Sequence, residues 1–190
     1  MTSDLKEPES PALIIDTSAL INILGCGDPK RLLECLGRIC VVEERVLGEL
    51  RRHPVPTLDA RKEVETLANA GLIRLSRMTD EEYELYLQIA AVSGVPGLGS
   101  GESAAIALAA TPGACHAIVL DERKARHRVA QRFAQLRVVS SLNVFLEAGH
   151  NGKLDQATIR SFFSTALDTA SMGILKEERT LVAHLNLDRL

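Results

Sequence analysis

Tryptophan is absent from this chain of 190 residues, and aromatic residues make up only 3% of it. We therefore expect an aliphatic core, and the composition disfavours a nucleic-acid surface built on aromatic stacking. Positive charge is not in excess either. Because the net charge is -3, any contact with a polyanion must use a local basic patch.

The sequence also lacks the patterns of a thiolate metal site and of a membrane span. Its four cysteines form no Cys-x-x-Cys pair and share no metal-ligand spacing with the five histidines, so we expect reduced, mostly buried thiols in a cytoplasmic protein. They are Cys26, Cys35, Cys40 and Cys115. The longest apolar run, residues 104–110, is far shorter than the roughly 20 residues of a membrane span. Residues 1–11 are polar, lack the features of a secretory signal, and are expected to be flexible.

The apolar pattern predicts strands alternating with helices. Five short apolar runs are predicted strands: 13–15, 39–42, 72–75, 117–120 and 136–139. Helical patterns lie between them, at 17–24, 30–36, 44–52, 58–70, 81–93 and 102–110. This alternation predicts a three-layer α/β fold with a central parallel sheet of about five strands, covered on both faces. Two further helices, at 154–170 and 174–187, are predicted to close the chain, with a break at Gly173.

Acidic residues directly follow two of the predicted strands. Asp16 follows residues 13–15, and Asp121 follows residues 117–120. A single charge at a strand end is common. In open parallel sheets, however, functional groups gather beyond the carboxyl ends of the strands, so two carboxylates at one edge form a candidate site.

Two glutamates extend this candidate site. Glu102 begins a strongly apolar helix, where the helix dipole favours a carboxylate; because that helix should be buried, the charge alternatively needs a partner or a metal. Glu49 lies on the short helix after the second strand, four residues after Arg45. It is either part of the site or a solvated, ion-paired side chain.

Four acids in one cleft would repel one another unless divalent cations lie among them. Mg²⁺ and Mn²⁺ prefer oxygen ligands, and a carboxylate-held pair of such ions can activate water against a phosphodiester. The motifs of competing enzyme classes are absent from the sequence: GxxxxGK[ST], GxSxG, and GxGxxG after the first strand.

The order of these motifs resembles that of the PIN domain, a nuclease family with many bacterial and archaeal toxins. The matching segments are Asp-Thr-Ser after the first strand (13–20), Val-Leu-Gly-Glu-Leu (46–50), Gly-Glu-x-x-Ala-Ile-Ala-Leu-Ala (101–109), a strand with paired acids and a basic Ala-Arg end (118–126), and Val-Val-Ser-Ser-Leu-Asn-Val (138–144). The resemblance covers residues 12–153, a predicted nuclease domain, and residues 154–190 are a helical extension expected to pack on it. It implies four catalytic acids, Asp16, Glu49, Glu102 and Asp121, of which Asp16, Glu102 and Asp121 would bind Mg²⁺ or Mn²⁺.

Three residues are expected to support these acids from just outside the metal ligands. Glu122 stands where the family usually has the second Asp of a pair. Ser18 either orients a metal-bound water or caps the first helix. Arg126 holds Asp121 in place, reaches phosphate or is solvated, and we favour the first of these roles.

A basic run follows the paired acids. Residues 123–137 hold six cations and no acid: Arg123, Lys124, Arg126, Arg128, Arg132 and Arg137. Such a run is either a solvated helix face or a surface that attracts a polyanion. We expect Arg123, Lys124 and Arg128 to contact nucleic acid.

These observations together predict a divalent-metal-dependent ribonuclease acting on an RNA substrate. One alternative is a PIN-like module that binds RNA or protein without cutting. Another is the toxin of a toxin–antitoxin pair, whose small antitoxin protein would cover the site. The C-terminal helices are expected to cover one sheet face or to form a homodimer surface, and no membrane contact is expected.

Overall fold

Five parallel strands form the centre of the computed structural model, which describes residues 12–50, 55, 57–91, 98–111, 117–170 and 172–184. The strands are β1 (Leu13–Ile15), β2 (Cys40–Glu43), β3 (Ile73–Ser76), β4 (Ala117–Val119) and β5 (Arg137–Val139), in the spatial order β3-β2-β1-β4-β5. Leu13 pairs with Cys40 on one side and Ala117 on the other. The predicted five-stranded parallel sheet is therefore confirmed.

Helices cover both faces of the sheet. The first four are α1 (Thr17–Leu24), α2 (Pro29–Leu36), α3 (Glu44–Glu49) and α4 (Ala60–Asn69). They are followed by α5 (Asp80–Ala90), α6 (Ser100–Ala110) and α7 (Arg123–Arg132). The C-terminal part contains α8 (Ser141–Ala148), a π-helical turn (Gly149–Lys153), α9 (Gln156–Ala170), a 3-10 turn (Lys176–Glu178) and α10 (Arg179–His184). No helix within the described ranges is long and apolar enough to cross a membrane.

Side chains that alternate along the strands build two separate cores. Leu13 and Ile15 join α1, α2, α4, α8 and α9 on one face, whereas Ile14 joins α5, α6 and α7 on the other. Helix α6 is buried from Gly101 to Ala109, as its apolar sequence predicts. The second half of α9 packs on the first face, where the Phe163 ring meets Phe145 of α8 edge-on at 6.4 Å.

Several predicted boundaries differ from the structure. Strand β3 is not fully apolar in environment: as an edge strand it leaves Arg74 and Leu75 exposed. Helix α8 was not predicted, although Ser140 and Asn143 cap its start reciprocally. The predicted helix at 174–187 is instead a 3-10 turn followed by a short α10, and its residues 185–187 lie outside the described residues.

Three cysteines of the described ranges are free and buried, which agrees with the expected thiol chemistry. Burial raises the pKa of both Cys26 and Cys40 to about 12. Cys115 and the expected flexible segment 1–11 lie outside the described residues.

Candidate active site

The ends of the two central strands bring two aspartates together. Residue Ile15 of β1 pairs with Val119 of β4, and the backbone N–H of Asp16 donates to the carbonyl of Val119. Asp121 follows this pair at the same edge, and its charge raises the pKa of Asp16. The structure therefore brings together these two residues, 105 positions apart in the chain.

Asp16 is a completely buried carboxylate. It caps α1, where its Oδ1 accepts from the N–H of Ala19 at 2.7 Å, and the Ser18 hydroxyl donates to the same carboxylate from 2.9 to 3.1 Å. Burial raises its pKa to about 8; the Ala19 N–H partly opposes this shift, and the charges of Asp121 and Glu102 add to it. No cation is among these largest influences, so the ionised form of Asp16 is poorly compensated.

Asp121 is held by donors from two helices. Its Oδ1 accepts from the backbone N–H of Ser141 at 2.8 Å, and its Oδ2 accepts from the Asn22 amide at 2.8 Å and from the Ser141 hydroxyl. Neither Asn22 nor Ser141 was singled out from the sequence. The available signals were a polar residue within the apolar run of α1 and a helix start directly after β5.

Glu102 lies in the first turn of α6, in the position that the helix dipole favours. Its Oε2 accepts from the N–H of Gly99 at 2.9 Å, and the side chain is only 9% exposed. Its pKa is raised to about 7, mainly by burial and also by a hydrogen bond with the Glu122 side chain and the charges of Glu122 and Glu49, while the Gly99 N–H partly opposes the shift. Glu122 is thus in direct contact with one of the predicted acids.

Glu49 joins the same group from the end of α3. Its carboxylate accepts from the Thr17 hydroxyl at 2.5 Å and from the N–H of Gly101 at 2.7 Å, which ties α3 to the starts of α1 and α6. A Cβ on Gly101 would lie inside van der Waals contact distance of both Thr17 Oγ1 and this carboxylate. Thr17 and Gly101 were not predicted as site residues; Gly101 could have been found as the small residue that allows this approach.

Arg126 binds the main chain next to the site. Its guanidinium donates to the carbonyls of Leu120 and Val139 at 3.0 and 3.2 Å, and lies 3.9 Å from the Glu177 carboxylate. Among the described contacts, Arg126 therefore links the ends of β4 and β5. Its effect on Asp121 is indirect, through the carbonyl of Leu120, the residue before it.

The three cations that were predicted to contact nucleic acid lie on two flanks of α7. Arg123 lines a cleft of about 550 Å³ together with Arg126 and His127. Lys124 and Arg128 are half-buried one helical turn apart and are not among the residues that line this cleft. Arg128 has a buried Nη1 that finds no partner within the described part of the chain.

A carboxylate from the C-terminal 3-10 turn reaches the same edge. Glu178 is only 8% exposed, and the Ser140 hydroxyl donates to it. Burial raises the pKa of Glu178, and the nearby charge of Asp121 also raises it. No local pattern in the sequence indicates this residue, because its partner Ser140 lies 38 positions earlier in the chain.

The carboxylates offer only oxygen ligands, which suits hard divalent cations such as Mg²⁺ and Mn²⁺. The pKa values of Asp16 and Glu102 are raised mainly by burial and further by neighbouring carboxylates, so a bound cation would stabilise their ionised forms. Within the described ranges, no group of three or more His, Cys, Asp or Glu side chains is already arranged around a common metal position. Asp16, Asp121, Glu49 and Glu102 each accept instead from a nearby hydrogen-bond donor. The residues therefore fit such an ion by the chemistry of their oxygen atoms.

A comparison with protein families agrees with this arrangement. A family model described as a PIN domain matches residues 12–170, a range that includes the sheet and α9. It also includes five acids of the site: Asp16, Glu49, Glu102, Asp121 and Glu122. Searches among curated proteins and among solved structures gave no match. PIN domains are generally nucleases that use divalent metals, so membership supports a nuclease-like hydrolase function. Because the match covers most of the chain, this protein belongs to the PIN domain family.

Proposed function

We propose that this chain is a divalent-metal-dependent ribonuclease that hydrolyses phosphodiester bonds of RNA. The observation that carries the proposal is the convergence of acids from four separate segments at one edge of the sheet, with the pKa of Asp16 and Glu102 raised and no cation among the largest influences on either. Carboxylates of like charge that are buried together lower the stability of a fold, and a bound cation would offset this cost.

Each acid has a distinct place in this proposal. Asp16, Glu102 and Asp121 would hold Mg²⁺ or Mn²⁺, with Glu49 and Glu122 beside them. Once bound, the ion supplies an activated water and neutralises the charge that develops on the phosphate oxygens.

The protein's own donors fix the orientation of these ligands. Ser18 and the Ala19 N–H hold Asp16, while Asn22 and Ser141 hold Asp121. Such supporting contacts set ligand direction and basicity. No side-chain nucleophile is required.

The cleft along α7 is the proposed path for the RNA backbone. It begins at Arg123, two residues after Asp121, and runs past Arg126 and His127 over an apolar floor. Each phosphate that a cation neutralises adds about 0.7 to the salt slope of single-strand binding. Arg123→Ala should therefore lower that slope by about this amount, whereas Arg31→Ala on the exposed surface of α2 should leave it unchanged.

The main test is cleavage of a labelled single-stranded RNA with Mn²⁺, Mg²⁺ or EDTA. Asp121→Asn should remove the metal-dependent cleavage. Asp28→Asn is the control, because it makes the same substitution at an exposed aspartate beyond the far end of α1. If Asp121→Asn cuts as fast as wild type, the proposed chemistry is wrong. If the wild type binds RNA but never cuts it, the chain is a binding module.

Two further expectations about partners stay predictions. Growth arrest on expression, relieved by a neighbouring gene product, would identify a toxin with a small antitoxin. Sedimentation of the purified chain tests the expected homodimer.

A further inference from the structure

The only two tyrosines in the chain lie side by side on α5. The ring centroids of Tyr83 and Tyr86 are 5.8 Å apart with an interplanar angle of 21°. The guanidinium of Arg45, from α3, lies over both rings at 5.3 and 4.6 Å from their centroids. These three side chains are called the tyrosine–arginine cluster below.

The cluster combines one anchored ring with one accessible ring. Tyr86 is half-buried and packs against the core on the α6 face of the sheet. Tyr83 is 41% exposed, so part of its side chain remains open to a ligand. A planar, partly exposed aromatic group beside an arginine is a surface on which any nucleobase can stack.

The charge around the cluster does not exclude a polyanion. The exposed acids Glu81 and Glu84 line a cleft on the other flank of α5, together with Arg132 of α7. On the cluster's flank, Glu43 is buried and lies 3.5 Å from Arg45.

One helical spacing and one contact connect the cluster to the acidic site. Arg45 precedes Glu49 by four residues on α3, which places them on the same face one helical turn apart. On the other side, the Tyr86 hydroxyl lies 3.3 Å from Ser100 Oγ at the start of α6. The next two residues are Gly101, which donates to Glu49, and Glu102.

We propose that the tyrosine–arginine cluster is a stacking site for a nucleobase of single-stranded RNA, next to the phosphodiester held at the acidic site. The inference rests on the proposed ribonuclease function and identifies a surface that would bind a base of the RNA substrate. A cation at the acids contacts phosphate regardless of sequence, so a flat platform one helical turn away would fix the position of the strand along the site.

A purely structural role makes a different prediction. If Arg45 and the tyrosines only tie α3 to α5, removal of the Tyr83 ring lowers thermal stability and leaves RNA affinity unchanged. If the ring stacks on a base, its removal weakens binding by about 5- to 100-fold, because stacking on one aromatic side chain has that effect.

The test measures binding without cleavage, in EDTA and in the Asp121→Asn background. The probe is a short single-stranded RNA that contains 2-aminopurine, whose emission falls when the base stacks. Tyr83→Ala should weaken binding at least about fivefold and abolish the change in emission, whereas Tyr83→Phe should retain both. Leu87→Ala is the matched control: Leu87 is on the same helix, one turn further on, and is also 41% exposed.

Intrinsic fluorescence gives a second readout. Since the chain has no tryptophan and both tyrosines belong to the cluster, all of its tyrosine emission comes from this surface. RNA that stacks there should quench this emission in the parent, after correction for absorption by the RNA.

The outcomes separate this inference from the proposed function. Equal affinity and equal 2-aminopurine emission for Tyr83→Ala and the parent would overturn the stacking site, even if the wild type cuts RNA. A parent that fails to bind the RNA at all would overturn it as well. Stacking that depends on Tyr83, in a chain that never cuts RNA with any metal, would support the stacking site and refute the ribonuclease.

Discussion

The buried carboxylate of Asp16 should destabilise the metal-free protein, and its replacement by Asn should relieve that cost. Asn retains the shape of Asp and is an equally good helix cap, so the hydrogen bond from the Ala19 N–H is preserved. What the substitution removes is the charge. We therefore expect Asp16→Asn to lose cleavage and to gain stability.

The pKa of Asp16 sets the size and the pH window of this gain. The group ionises at its ordinary value of 3.8 in the unfolded chain and at about 8 in the folded one. Between these values folding takes up a proton, so wild-type stability falls as pH rises toward 8 and changes no further above it. Each pH unit in the window is worth 1.36 kcal/mol, so the gain from Asp16→Asn should grow by about 3 kcal/mol between pH 5 and 7.

Urea unfolding followed by circular dichroism at pH 5 and 7, in EDTA, measures this difference directly. The control is Asp28→Asn, which makes the same substitution at an exposed helix cap. Mn²⁺ should raise the unfolding midpoint of the wild type at pH 7 and have less effect on Asp16→Asn. If the stability difference between wild type and Asp16→Asn is the same at both pH values, the reasoning is refuted, because the pKa of Asp16 would then not be raised by folding.

Two further substitutions test the supports of the site. Gly101→Ala should cost about 1–3 kcal/mol and lower cleavage, because its Cβ would push against Thr17 and a site carboxylate. Gly48→Ala, whose Cβ meets nothing within 4 Å, should instead stabilise α3 by up to about 1 kcal/mol; thermal melts that move both variants in the same direction would contradict this. Glu178→Ala should lower the melting temperature and slow cleavage, because it removes the buried carboxylate that accepts from the Ser140 hydroxyl and leaves the buried Leu175 N–H without its acceptor, at a cost of about 1–3 kcal/mol. The exposed Glu177→Ala should have little effect, and equal losses in the two variants would count against a role for the buried carboxylate.

The sheet and two of the site residues follow from local sequence. Apolar runs of three or four residues mark β1 and β4, and a parallel sheet obliges their carboxyl ends to share an edge. The proximity of Asp16 to Asp121 therefore follows from the parallel direction of the two strands. Glu49 and Glu102 needed the family resemblance, because each lies on a helix where a solvated or dipole-favoured glutamate is an equally good local interpretation.

The remaining contacts join residues that are far apart in the chain, so no local sequence pattern predicts them. Asn22 reaches Asp121 across 99 positions, and Ser140 reaches Glu178 across 38. The placement of the few aromatic residues could not be predicted either. Scarce aromatic residues disfavoured a stacking surface, yet the fold places both tyrosines in one cluster under Arg45, and placement rather than number decides whether a base can stack.

The five acids divide into a fixed pair and an adjustable group. Asp16 and Asp121 follow the two central strands and are each held by donors from neighbouring helices, so little can change their direction. Glu49 is exposed and ends a helix of six residues, and Glu102 makes a hydrogen bond with Glu122 that a cation would replace. Binding of a cation should therefore leave the aspartates in place and reorient the glutamates. If the proposed metal site is correct, this division explains why no three acids of the described residues surround a common metal position before a cation binds.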